Sequence, residues 1–138
     1  MRRKFLLAGA MLAVTLGAGL IFSDFASAQA PTPPRTVLRE DLNGLDGQEV
    51  IMQEAVIAPG GSIPWHKHPD GHEISYVVEG TAKLEIEGQG VRELKPGEGF
   101  HIQPGTVHRA FNDSNAPAKV VVVRVNAKGK PIAVPVQK

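Results

Sequence analysis

Turn-forming residues recur so often along this chain that no stretch after residue 28 leaves room for a convincing helix. All eleven prolines and twelve of the fifteen glycines fall in residues 29–138. They cluster at Pro59-Gly60-Gly61, Pro69-Asp70-Gly71, Glu87-Gly88-Gln89-Gly90, Pro96-Gly97 and Pro104-Gly105, which is turn chemistry. Between the clusters lie short runs with strand character: Glu49 to Ala58, Glu73 to Glu79, Ala82 to Glu87, Gly99 to Gln103, Val107 to Asn112 and Lys119 to Asn126. In Ala82-Lys83-Leu84-Glu85-Ile86-Glu87 small and apolar residues alternate with charges, the period of a half-buried strand. The expectation is an all-β domain, and so many short antiparallel strands in roughly 100 residues suggest a sandwich, a barrel or a jelly roll.

Residues 1–28 are a different material. They open with Arg2, Arg3 and Lys4, run through an apolar Gly/Ala-rich stretch from Phe5 to Phe22, and end in Ala26-Ser27-Ala28-Gln29-Ala30, the layout of a secretory signal peptide. Cleavage after Ala28 is expected, because cutting after Ala30 would leave Pro31 first, with a ring that restricts the extended backbone a peptidase grips. About 18 apolar residues can just span a bilayer, but the small-residue tail argues against an uncleaved anchor. Arg2-Arg3-Lys4-Phe5-Leu6 resembles the core of a twin-arginine export signal, and an ordinary unfolded-export signal begins the same way. A periplasmic or secreted location follows from either.

Without the leader's three basic residues and one acidic residue, the remaining 110 residues carry 12 Lys and Arg against 13 Asp and Glu, a formal charge of −1. A neutral chain with no basic block offers no footprint for nucleic acid, and nothing after residue 28 is long and apolar enough to cross a membrane as a helix. The length suits one domain. Zero cysteine removes disulfides, thiolate metal sites and cysteine nucleophiles from consideration. Residues 29–45 read as a proline-rich linker and N-terminal arm, since Gln29 to Arg35 favours extended, solvated chain, and residues 46–138 read as the folded barrel.

The histidines are the informative residues. Three of the five fall within seven positions, His66, His68 and His72, directly followed by Glu73. A His-x-His pair on a strand puts both imidazoles on one face with Cα atoms roughly 6.5 Å apart, near enough to share an ion through bonds of about 2.1 Å. Glu73 begins the next strand after the Pro69-Asp70-Gly71 turn and can reach the same point. A fourth ligand must come from His101 or His108. Phe100 and Ile102 should claim the core on either side of His101, so His108, after the Pro104-Gly105 turn, is the better candidate.

These residues carry a family resemblance. Gly60-x5-His66-x-His68-x4-Glu73-x6-Gly80 is similar to the first cupin motif at every defined position. Gly97-x5-Gln103-x-Gly105-x2-His108-x3-Asn112 is similar to the second with one departure: Gln103 stands where the family usually has proline, and the proline follows at Pro104. The resemblance, to small quercetinase-like single-module cupins, implies a double-stranded β-helix, the jelly-roll cupin barrel. It implies one divalent transition metal (Fe, Mn, Zn, Ni or Cu) held by His66, His68, Glu73 and His108, and a homodimer formed by sheet packing.

Other side chains have simpler readings. His72 and Tyr76 should point away from the site by strand parity, Ser75 and Val77 inward with Glu73. Lys83, Glu85, Glu87, Arg92, Glu93 and Arg109 read as a solvated sheet face, and Val120 to Val123 as a core strand. Trp65 can line the pocket mouth but a lone tryptophan beside a proline is more often packing.

Three neutral imidazoles and one carboxylate would leave a net +1 on a divalent ion, and an octahedral ion would keep two adjacent open positions. The resemblance therefore implies an exported, metal-dependent enzyme acting on a small enediol, phenolic or carboxylic compound, with a dioxygenase favoured and Glu73 as the catalytic group that accepts the substrate's proton. The same ion can serve an oxygen-independent isomerase, decarboxylase or lyase. Small cupin lyases often place a tyrosine two residues after the glutamate, where this chain has Ser75. A third reading is a protein that binds a metal or small molecule without turning it over.

Overall fold

In the computed structural model, which describes residues 32–138, ten strands form two antiparallel sheets packed face to face. The leader of residues 1–28 and its cleavage point lie outside the described residues. The strands are β1 Arg35–Asp41, β2 Gln48–Ile57, β3 Ser62–Lys67, β4 Gly71–Glu79, β5 Ala82–Ile86, β6 Gly90–Leu94, β7 Gly99–Ile102, β8 His108–Phe111, β9 Ala118–Ala127 and β10 Val134–Pro135. One sheet runs β1-β2-β9-β4-β7 and the other β10-β3-β8-β5-β6. This is the all-β jelly-roll barrel expected, and no helix among the described residues is long and apolar enough to cross a membrane.

The interior follows from period-two patterning. On β2 the residues Glu49, Ile51, Gln53, Ala55 and Ile57 are buried, while Val56 on the opposite face is half exposed. Ala55, Ile57, Val77, Ala82, Leu84, Leu94, Ile102, Ala118, Val120 and Val122 form one apolar cluster, with Ile63, Phe100 and Ala110 packed against it. Each fully buried aliphatic side chain contributes on the order of 1.5–3 kcal/mol.

Four strands escaped the turn-and-run reading. β1 lies in the N-terminal arm and is exposed along its whole length, so no alternation marks it. It is tied to β2 by Arg35 with Glu54 at 2.7 Å and by a two-pronged contact of Arg39 with Glu49, both bonds 2.8 Å. β3 is masked in sequence by Pro64, and its pairing with β8 shifts register between Ile63 and His66, where proline cannot donate to a ladder. β6 buries only Leu94, and β10 is two residues long.

Two motif positions are explained by the backbone alone. Gly80 closes the β4–β5 turn at φ 70°, and a Cβ there would lie 2.2 Å from the carbonyl oxygen of Pro117, so only glycine fits. Buried Asn112 donates to the carbonyls of Ile57 at 2.9 Å and Ala116 at 2.7 Å, and accepts from the Ser114 hydroxyl at 2.7 Å. It holds the β8–β9 connection and stands off from any ligand cluster.

Candidate metal centre

Both sheets supply the site. His66 lies on β3 and His108 opens β8, and the two are direct partners in the β3–β8 ladder. His68 follows the end of β3, and Glu73 faces inward from β4 on the opposite sheet. The turn of the second motif is fastened to the first motif by the Gly105 amide, which donates to the His68 carbonyl at 2.7 Å. Ligand atoms of His66, His68, Glu73 and His108 all lie within 4.8 Å of one another. His68, Glu73 and His108 are buried and His66 is half-buried.

The ring nitrogens are sorted into two kinds. Each Nδ1 meets a backbone carbonyl: His66 with Pro64 at 2.8 Å, His108 with Thr106 at 2.9 Å, and His68 with Ile132. A carbonyl only accepts, so the proton sits on Nδ1 and the Nε2 lone pair is free, the arrangement by which metal-binding histidines are oriented. The Nε2 atoms of His68 and His108 are buried without any hydrogen-bond partner. His68 Nε2 lies 2.8 Å from Glu73 Oε2, but two acceptors at that distance make no hydrogen bond unless a proton joins them. Buried polar atoms without partners are costly, and a cation at the point where these lone pairs meet would satisfy all of them. The donor set, three imidazole nitrogens and one carboxylate oxygen, fits a divalent transition metal.

The electrostatics prepare the same species. Burial lowers the His66 pKa to about 4, against the opposing hydrogen bond to Pro64, and lowers that of His108 as well. Both rings are therefore neutral at pH 7. For Glu73 burial pushes the pKa up, but the charge of the Arg124 guanidinium beside it opposes this and holds the carboxyl below the usual carboxylate range. The glutamate is an anion and His66 and His108 are uncharged donors, which is what metal ligation requires.

Arg124 is the residue that sequence reasoning missed. Its Nη2 donates to Glu73 Oε2 at 2.8 Å, its Nη1 donates to Gln53, and its Nε is buried with no partner. Strand parity held the signal. On β9 the buried residues Ala118, Val120 and Val122 alternate, so Arg124 must share their inward face, yet the valine run drew the reading toward a plain core strand. Ser75 also faces inward and donates to Glu73 Oε1 at 3.1 Å.

Beside the cluster lies a cavity of about 600 Å³, lined mainly by apolar side chains such as Ile57, Leu84, Phe100, Ala110, Val122 and Ile132. Among the described residues, Arg124 is the one arginine or lysine in its walls. Trp65 also lines it, with the Arg109 guanidinium 5.2 Å and the Lys138 ammonium 4.7 Å from its ring. Arg109 is paired with Glu85 at 2.6 Å, so it braces the tryptophan as well as facing solvent. His72 and His101 point outward, away from the cluster, as does Tyr76.

Comparison with known proteins agrees with this geometry. Residues 53–124, just over half of the chain, match the cupin domain family. An uncharacterised protein of Methanocaldococcus jannaschii is 30% identical over 92 residues, covering 65% of this chain and 73% of that one. A solved protein of Klebsiella pneumoniae with a double-stranded β-helix domain superposes with a TM-score of 0.62 at 26% identity, over 81% of this chain and 89% of that one. An oxalate oxidase solved with the substrate analogue glycolate gives a TM-score of 0.54 at 34% identity, over 63% of this chain and 46% of that one. The chain spans about half or less of several other relatives it matches, germin-like proteins among them.

Proposed function

Because the chain belongs to the cupin domain family, we propose that His66, His68, Glu73 and His108 hold one divalent transition metal ion and that the protein is a metal-dependent oxidoreductase. Its substrate, on this reading, is a small anionic compound, a carboxylic acid or an enediol. The observation that carries the proposal is the convergence of partnerless Nε2 atoms and an ionised carboxylate on one point beside a cavity whose single guanidinium has an unused donor. Similarity to an oxalate oxidase that binds glycolate supports a carboxylate substrate and an oxidase-type reaction. A bound ion would supply Lewis acidity and, if redox-active, electron transfer to or from dioxygen.

The chain's own groups have separable tasks. The Arg124 guanidinium in the cavity wall offers a charge-assisted hydrogen bond to a substrate carboxylate. The apolar walls exclude water and strengthen that contact, since charges attract more in a low-dielectric site. Glu73 is the group placed to take a proton, through Oε1, from a substrate seated beside it. An anionic substrate that draws Arg124 away from Oε2 would raise the proton affinity of Glu73, so binding would itself ready the base. Ser75 is too short to act as the base that a tyrosine at its position would provide, which favours the oxidoreductase reading over the lyase one.

We further propose that residues 1–28 export the chain, to be tested by a reporter fused to residues 1–30. The activity is tested by elemental analysis of untagged protein, followed by oxygen uptake with oxalate, glycolate, catechol and a flavonol. Uptake that depends on the metal found supports the proposal. Product formed under strict anaerobiosis would move it to an oxygen-independent isomerase, decarboxylase or lyase, and tight binding with no turnover in either test would make it a binding protein.

A further inference from the structure

We propose that His72 and His101 form a second metal-binding site, on the outer face of the barrel, which chelates copper(II) in preference to zinc. β4 and β7 are antiparallel neighbours in which Glu73 pairs with Ile102 and Ile74 with His101. Their inner faces present Glu73 and Ile102 to the interior, and their outer faces bring His72 and His101 together on the diagonal. The rings are stacked, with centroids 5.1 Å apart and planes at 28°, and His72 Nδ1 lies 2.9 Å from His101 Nε2. His101 is exposed and His72 half-exposed, so an ion can enter from solvent.

The nitrogen separation lets both rings reach one ion. With metal–nitrogen bonds of about 2.1 Å, two ligands at 90° lie about 3.0 Å apart and two at the tetrahedral angle about 3.4 Å apart. The observed 2.9 Å is the length of the hydrogen bond that joins the two nitrogens, and a small turn of the rings brings both to face one ion. The order of affinities among divalent ions favours copper(II) over zinc at such a pair of imidazoles. Between the two nitrogens there is now one proton, and binding displaces it. Gln103, whose side-chain amide nitrogen lies 3.5 Å from His101 Nδ1, would have to turn its amide over on metal binding, so that its oxygen accepts a proton moved to Nδ1 and His101 Nε2 is free to donate to the ion.

This site is separate from the inner cluster. It offers two imidazoles and an open solvent side, where the interior offers three imidazoles and a carboxylate, so it binds more weakly. The inference does not rest on the inner cluster holding a metal, and the experiment reads the two apart. Copper(II) is titrated into protein already given one equivalent of the metal it retains, and the ions bound per chain are counted by equilibrium dialysis with copper d–d absorption as a second readout. The expected result is one further, weaker equivalent in the parent protein that zinc fails to displace at equal concentration. His72→Ala and His101→Ala each lose that equivalent while keeping the first, and His66→Ala keeps it. His101→Ala is the safer variant, since position 101 is exposed and lies on an edge strand. Absence of a further equivalent in the parent protein, or its survival in both outer variants with unchanged affinity, would overturn the proposal.

Discussion

His66 and His108 face each other directly across the β3–β8 pair with ring centroids 4.3 Å apart, although each comes from a different motif. The ladder therefore sets the spacing of two donors before any ion arrives. Untagged protein should carry about one tightly held ion per chain. His66→Ala and His108→Ala should lose it, and His72→Ala should keep it. Metal at 100 times its dissociation constant should stabilise the parent against unfolding by about 2.7 kcal/mol and stabilise the two inner variants far less. Elemental analysis and melting with and without chelator check both statements, and full occupancy in His108→Ala would contradict the ligand assignment.

Arg124 and Glu73 make a buried ion pair at 2.8 Å. Removing one partner of such a pair leaves an uncompensated buried charge and costs about 3–5 kcal/mol. Arg124→Met should show a loss of that order without metal. With metal bound, the ion neutralises Glu73 in place of the guanidinium and the loss should shrink. Urea unfolding of both proteins with chelator and with metal measures the difference. Equal losses in the two conditions would mean that Glu73 does not face the ion.

The ligands were legible because they obey local rules. His66 and Glu73 are fixed by strand parity; His68 lies just past the end of β3 rather than on the strand expected for it, and is tied instead to the turn before His108, whose Gly105 amide donates to its carbonyl. What surrounds them was not legible, since it depends on long-range pairing. The contact of His68 Nδ1 with Ile132 comes from a tail with no strand signal, and Arg124 reaches Glu73 only because β9 lies between β2 and β4. β1 was missed, and β3 was anticipated only at its His66 end. The first is exposed throughout and shows no alternation, and the second hides a bulge behind Pro64.

Acid should destabilise the metal-free protein along one continuous slope. His66 has a pKa of about 4 when folded against about 6.5 when unfolded, so between those values the unfolded chain binds more protons and stability falls as pH falls. His108 is shifted in the same direction. Glu73, held below the usual carboxylate range, adds stability above its unfolded pKa of about 4.3 that is lost as pH drops below it. His66 is partly open to solvent, which reduces its share. Denaturation midpoints of chelator-treated protein at pH 7, 5.5 and 4.5 should decline in that order, and a flat profile would show that the imidazoles are not buried as neutral rings.

Gly80 and Gly105 both have positive φ, 70° and 77°, but differ in what a side chain would meet. A Cβ on Gly105 has nothing within 4 Å, whereas one on Gly80 would lie 2.2 Å from Pro117 O and 2.9 Å from Ala118 Cα. Gly105→Ala should therefore cost only the backbone term, about 1–2 kcal/mol. Gly80→Ala must also push the β8–β9 connection away from the β4–β5 turn, and backbone atoms cannot rotate aside, so a loss above about 4 kcal/mol is expected. Chemical denaturation of the two variants tests the ranking. Gly80 ends the first motif yet offers no ligand atom, and its neighbour Ala118 begins the strand that carries Arg124. Displacing that strand should weaken metal retention in Gly80→Ala in proportion to the stability lost, while Gly105→Ala, which preserves the strand, should retain its ion.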